Sequence, residues 1–359
     1  MHGITKSFRG DNLIIITYFR SSSYNTHSMC EQQYFLEYVL GYRSPSGLKA
    51  DKGTIVHKVL EILAVIKQAQ QNNENSINDD IIGLVSANKY SLDSIIEKVY
   101  KHYSEQCPHH KWSAKDYKDC HAWVYKAIEF NSGMFDPRNR NILCPERHFD
   151  FEIKKPWAKY EYSTPDGDIS GNLALKGTID LVTLLDDNTI EVIDWKTGRR
   201  LDWATGEEKT QEKLEKDPQL KIYHYAISHL YPNIDHIIFS IYFINDGGPF
   251  SICFDRSDLS STEDMLRRKF EAIKSTKKPK LNKSWMCNKL CHFGKTTFEN
   301  TNVQPILEYR DGSFIPQGSP LTKCEQVKHD IELKGMDQVI SEYKKDNHSF
   351  SNYKAPGTV

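Results

Sequence analysis

Asp180, Asp194 and Lys196 stand on two apolar runs that flank Asp186, Asp187 and Asn188, residues suited to a tight turn. A hairpin symmetric about Asp187 sets Asp180 opposite Asp194 and Thr178 opposite Lys196. Side chains alternate across a sheet, so the two aspartates and the lysine project from one face. Directly opposed residues bring their Cβ atoms within about 5.5 Å. Carboxylates that close repel each other, and a hard divalent cation with oxygen ligands offsets the cost. A neighbouring lysine can orient a water or stabilise charge growing on a phosphate. Such a set of groups is suited to phosphodiester hydrolysis. The competing reading is an exposed hairpin whose Asp and Lys form surface ion pairs. The neighbours Ile179, Leu181, Val182, Val192 and Ile193 argue for buried strands instead.

Three other groups of residues could do chemistry. His57 and Glu61 lie one helical turn apart beside an apolar stripe, a pattern that by itself also fits an ordinary polar edge. Gln219 and Tyr223 share a helix face, although Tyr223, Tyr225 and Tyr231 also suit packing. Cys287 and Cys291 sit among Lys283, Lys289 and Lys295, and nearby cations favour thiolates as ligands. Cys107, Cys120, Cys144 and Cys253 show no partner pattern.

The hairpin resembles the catalytic core of the PD-(D/E)xK nucleases, in particular their RecB-like exonuclease branch. Three further segments are similar to motifs of that branch and occur in the same order. GTIVH (Gly53 to His57) resembles its G-x-x-x-H helix, and QLKIY (Gln219 to Tyr223) its Q-x-x-x-Y helix. Ser21 to Tyr42 resembles the entry helix of the iron–sulfur-bearing members. The resemblance runs from Ser21 to about His292. It implies a restriction-endonuclease-like α/β fold, a mixed central sheet flanked by helices with a helical N-terminal part. It also implies Mg²⁺ or Mn²⁺ held by His57, Asp180, Asp194 and the Trp195 carbonyl, with Lys196 orienting the attacking water. Gln219 and Tyr223 would support the site and approach DNA.

The iron–sulfur members carry one cysteine before the histidine motif, where Cys30 stands, and three after the core. Their usual C-x2-C-x5-C spacing is not kept, because the next cysteine after Cys291 is Cys324. A 4Fe–4S cluster on Cys30, Cys287, Cys291 and Cys324, a zinc site using His292, and unligated thiols are the three alternatives.

The elements that must position these residues follow from periodicity. Helices are expected over Ser22 to Val39, Gly53 to Gln70, Ser91 to Gln106, Ser113 to Phe130, Pro218 to Leu230, Ser260 to Lys274 and Cys324 to Tyr343. Strands are expected over Phe149 to Ile153, Leu173 to Leu185, Thr189 to Trp195, Ile237 to Ile244 and Phe250 to Phe254. The polar stretch Gln68 to Asp80 reads as a loop. This divides the chain into a mostly helical part (1–140), the nuclease core (141–295) and an extension (296–359).

Hydrophobic content of 38% with 26% charged residues is that of a globular chain, neither disordered nor membrane-like. No apolar run approaches the roughly 20 residues of a bilayer span, and no secretory signal is visible, so a cytoplasmic enzyme, host- or phage-encoded, is expected. Eight cysteines in such a chain do not read as a disulfide framework. The net charge of −1 is not that of a strongly basic nucleic-acid binder. One basic stretch, Arg267 to Lys283, is either a solvated face or a surface that tracks phosphates. No G-x-x-x-x-G-K-[ST] phosphate loop occurs, so any unwinding motor belongs to a separate helicase or recombinase partner. The expected function is a metal-dependent DNA exonuclease of recombination, repair or phage DNA metabolism. The alternatives are an endonuclease on the same fold and an inactive DNA-binding subunit.

Overall fold

The computed structural model describes residues 14–164, 167–201, 206–298 and 321–344. Six strands form one mixed sheet: β1 (Tyr18–Phe19), β2 (Ile142–Glu152), β3 (Ala174–Asp186), β4 (Thr189–Lys196), β5 (His236–Phe243) and β6 (Gly248–Phe254). The order is β1-β3-β4-β5-β6, with β2 also paired to β3. The β3/β4 and β5/β6 pairs are antiparallel, whereas β4/β5 is parallel. The principal helices are α1 (Ser21–Met29), α2 (Leu48–Gln71), α3 (Leu92–Gln106), α4 (Ala114–Glu129), α5 (Pro218–Leu230), α6 (Leu259–Lys274), α7 (Lys323–Lys334) and α8 (Met336–Tyr343). Among the described residues no helix is long and apolar enough to cross a membrane.

The chain divides into two compact units. The unit of Ser46–Asp150 and Lys176–Thr262 holds the hairpin. Its core is built on α2, whose Val56, Val59, Leu60, Leu63 and Ile66 are all buried and join a cluster with Leu181, Ile193 and Trp195. Each such burial contributes about 1.5–3 kcal/mol relative to exposure. Strand β4 is buried from Ile190 to Trp195, as an interior strand covered on both faces must be. Ser113 caps α4 in a box with Asp116, and Ser91 caps α3.

The other unit comprises Met1–Pro45, Phe151–Leu175 and Glu263–Val359. Here the expected helix over Ser22 to Val39 is interrupted. Cys30 is extended (φ −159°, ψ 111°), and a short helix (Glu31–Tyr34) and a π-turn (Phe35–Val39) follow it. The break is fixed from afar: Asn282 Nδ2 donates to the Met29 carbonyl and Gln32 N to the Lys280 carbonyl. The last expected helix is likewise two, α7 and α8, parted at Gly335 with φ +86°. In the first unit the stretch read as a loop is a hairpin, Ser76–Asp79 with Gly83–Ser86, seated by the buried Ile77 and Ile82.

Candidate active site

The β3/β4 register pairs Leu181 with Ile193, Val182 with Val192, Thr183 with Glu191 and Leu184 with Ile190. This is the register of a hairpin symmetric about Asp187, and it continues towards Asp180 and Asp194. A bulge between Leu184 and Asp186 precedes the turn, where Asp186 Oδ1 accepts from Asn188 N. Gly177 on β3 lies under the Phe149 ring, and a Cβ there would come within 2.5 Å of it.

Helix α2 brings its histidine to this strand pair by a close approach. A Cβ on Gly53 would lie 2.7 Å from Thr197 Oγ1, just past the end of β4. One turn later His57 Nδ1 lies 3.3 Å from Asp180 Oδ2, which also accepts from Trp195 N at 3.0 Å. Asp194 Oδ2 lies 2.7 Å from Lys196 Nζ and forms an ion pair with it. Its Oδ1 accepts from Gln219 Nε2 at 3.3 Å. Gln219 Nε2 also meets Tyr223 Oη (3.0 Å), and that hydroxyl donates to the Thr178 carbonyl (2.8 Å). Helix α5 therefore ties both strands of the hairpin together. It starts at Asp217-Pro218, a side-chain cap followed by proline in the first turn.

Electrostatics separate the two aspartates. Burial pushes both carboxyls up, but for Asp180 the His57 and Lys196 cations and the Trp195 amide prevail and hold it below the usual range. Asp194 stays above that range, because burial and the Asp180 charge outweigh Lys196. Burial works against charge on His57 and Lys196 too, yet the carboxylates prevail and raise both. Two carboxylates with pKa values driven apart, with the His57 imidazole beside them, are a donor set that a divalent cation would complete.

His57, Asp180, Asp194, Lys196, Gln219 and Tyr223 thus converge, with Trp195 as a buried rung of β4. Sequence reading missed several neighbours. A cleft of about 210 Å³ beside Asp194 and Lys196 is also lined by Arg199, Lys209 and Asp217. Lys209 pairs with Asp217 at 2.8 Å, whereas Arg199 is exposed and makes no ion pair among the described residues. Glu61, one turn beyond His57, is pushed up to about 8 by burial and then by Glu146, despite Lys58. The Asp-Pro helix start was the one signal in the sequence that pointed to Asp217.

The four cysteines lie together in the other unit. Cys30 occupies the break after α1, Cys287 lies on Trp285–Lys289, Cys291 follows it, and Cys324 is buried in the first turn of α7. Burial pushes the Cys324 thiol up, and Cys30, Cys291 and Cys287 add to that. Cys291 is raised by burial and by Cys287 and Cys30, while the amides of Gly294 and Phe293 point to its sulfur and oppose the shift. Among the described residues, no three of these sulfurs lie within 4.8 Å of one another, and His292 joins no such group. The basic stretch is largely engaged: Arg267 pairs with Asp264, Lys269 donates to Ser28 and lies over Tyr24, and Lys278 pairs with Glu332.

The profile of the PD-(D/E)XK nuclease superfamily matches residues 21–295. Among solved structures, one similar to this chain is a provisionally assigned exonuclease from Eubacterium rectale (11% identity, TM-score 0.41, 81% of this chain and 92% of that one). Another is Rai1 from Scheffersomyces stipitis (10% identity, TM-score 0.20, 74% of each chain). No curated protein sequence is significantly similar. With a match over most of its length, the chain belongs to the PD-(D/E)XK nuclease superfamily and is a phosphodiester hydrolase.

Proposed function

We propose that this nuclease is a DNA exonuclease that processes ends in recombination, repair or phage DNA metabolism. The observation that carries the reading is the meeting of Asp180, Asp194, His57 and Lys196 beside an open cleft with exposed Arg199 at its rim. His57, Asp180, Asp194 and the Trp195 carbonyl would hold Mg²⁺ or Mn²⁺. Such a cation polarises the scissile phosphate and lowers the pKa of the attacking water. Lys196, anchored on Asp194, would orient that water and meet charge growing on the phosphate. Gln219 and Tyr223 would hold Asp194 and the Thr178 rung in place, and Arg199 would take a backbone phosphate. Digestion of end-labelled linear and closed circular DNA with Mg²⁺ tests the reading. Mononucleotide or short-oligonucleotide release from linear DNA alone is expected. Cutting of circles would make the enzyme an endonuclease.

We further propose that Cys30, Cys287, Cys291 and Cys324 hold a 4Fe–4S cluster. Two features support this: Cys324 feels the charges of Cys30, Cys291 and Cys287, and Cys291 those of Cys287 and Cys30, while no three of the sulfurs among the described residues come as close together as the roughly 3.8 Å of a tetrahedral zinc site. The cluster would fasten the break after α1 to the segments around Cys291 and Cys324. Anaerobically purified protein should then contain iron and sulfide, and Cys30→Ala should remove both. Stoichiometric zinc in their place would favour the alternative site.

A further inference from the structure

Cys107 is the residue at which α3 ends, and Pro108, His109 and His110 follow it. Asp51 lies in the first turn of α2. A carboxylate oxygen of Asp51 and one ring nitrogen from each of His109 and His110 all lie within 4.8 Å of one another. His110 Nε2 is 2.6 Å from Asp51 Oδ2, and the two imidazole centroids are 4.0 Å apart. The Cys107 thiol feels the same carboxylate, and burial and then that charge push it up. Cys107, which has no partner pattern in the sequence, thus has one in the fold. A His–Asp hydrogen bond accounts for Asp51 and His110 alone. It gives no reason for a second imidazole nitrogen within 4.8 Å of the same carboxylate.

We propose that Asp51, His109 and His110, with Cys107 beside them, form a zinc site that pins the first turn of α2 to the turn after α3. One carboxylate, two imidazoles and a thiol are the oxygen, nitrogen and sulfur donors that Zn²⁺ takes, in the number of a closed tetrahedral site. Zinc bonds of about 2.0–2.3 Å bring ligand atoms to roughly 3.4 Å from one another, so the Asp51, His109 and His110 atoms, now within 4.8 Å, close with small rotamer movements, and Cys107 would turn in as the fourth ligand. The surroundings already orient the donors, as outer partners of metal ligands do. Ser46 Oγ donates to Asp51 Oδ2 (3.0 Å), Trp112 Nε1 donates to the Cys107 carbonyl (3.0 Å), and the Trp112 ring stands edge-on to His110. His110 N donates to the Cys107 carbonyl and closes the turn. Asp51 precedes His57 by nearly two turns of α2, so this site would steady the histidine-bearing helix while sharing no ligand with the nuclease centre. The proposal does not depend on the nuclease reading.

Untagged protein, loaded with ZnSO₄ and dialysed against metal-free buffer, tests it by elemental analysis alongside His109→Ala and Asp51→Asn. His109 is exposed, so its alanine variant should fold as the wild type does, and far-UV circular dichroism checks that it has. Each variant should retain one zinc fewer per chain, reflecting at least about a tenfold loss of affinity. The rise in Tm that zinc gives the wild type should be smaller in the variants. The other cysteines and the nuclease centre are unchanged in these variants, so the difference isolates this site. Equal zinc content in wild type and folded His109→Ala, or an unchanged zinc-dependent Tm shift, overturns the proposal.

Discussion

Gly53→Ala sets the fit of helix α2 against its own helical preference. The new Cβ would lie 2.7 Å from Thr197 Oγ1, well inside van der Waals contact. Alanine gains about 1 kcal/mol over glycine inside a helix, whereas overpacking costs about 1–3 kcal/mol. The balance is a net loss of about 0–2 kcal/mol, which the fold should survive. Geometry should not escape so lightly. The Thr197 carbonyl accepts from Asn245 Nδ2, which leaves either the helix or the threonine side chain to give way. Any retreat of the helix lengthens a His57–Asp180 contact that already stands at 3.3 Å. Misplacement by an ångström can cost about 10²-fold in rate, so a shift of a few tenths should cost roughly tenfold. With Oγ1 removed the nearest Thr197 atom is its Cβ at 3.9 Å, an ordinary contact. Thr197→Ala should therefore be nearly as active as the wild type, and the double variant should recover most of what Gly53→Ala loses. Cleavage of linear DNA with Mg²⁺ and thermal unfolding, measured on all four proteins of the cycle, give the coupling. Full activity in Gly53→Ala, or no recovery in the double variant, would refute the role assigned to this approach.

Tyr223→Phe removes the donor to the Thr178 carbonyl and the partner of Gln219, and should cost about 1–3 kcal/mol of stability with a partial loss of cleavage; an unchanged Tm would show that this network does not brace the hairpin. Arg199→Ala should weaken DNA binding in Ca²⁺ and reduce its salt dependence by about one phosphate contact while kcat holds; a salt titration with an unaltered slope would remove Arg199 from the DNA path.

The hairpin was legible because a period of two and a polar turn leave few registers, and a slip of one residue would turn Asp194 and Lys196 away from the face that carries Asp180. Helices α3, α4 and α5 were legible from Ser91, Ser113 and Pro218, residues whose start signals are local chemistry. What stayed hidden depends on partners far along the chain. The break at Cys30 is held by Lys280 and Asn282. The hairpin of Ser76–Asp79 and Gly83–Ser86 exists because Ile77 and Ile82 find a buried surface that a polar composition does not announce. Gly53 shows its purpose only once Thr197 is beside it. The basic stretch from Arg267 read in sequence as either a solvated face or a phosphate-tracking surface, and its contacts with Ser28, Asp264 and Glu332 appear only in the fold. Asp51 and the His109-His110 pair likewise meet only in three dimensions.

The most direct test of the catalytic centre is the cleavage rate of Asp194→Ala and Lys196→Ala on linear DNA, with Mg²⁺ and with excess EDTA. Asp194 is the buried carboxylate of β4 at the centre of the site, and Lys196 is the cation paired with it. Each variant should fold, bind DNA, and cleave at least about 10²–10³-fold more slowly than wild type, and the wild type should be inactive in EDTA. Near-wild-type cleavage by either variant, or hydrolysis that persists in chelator, would contradict the assignment.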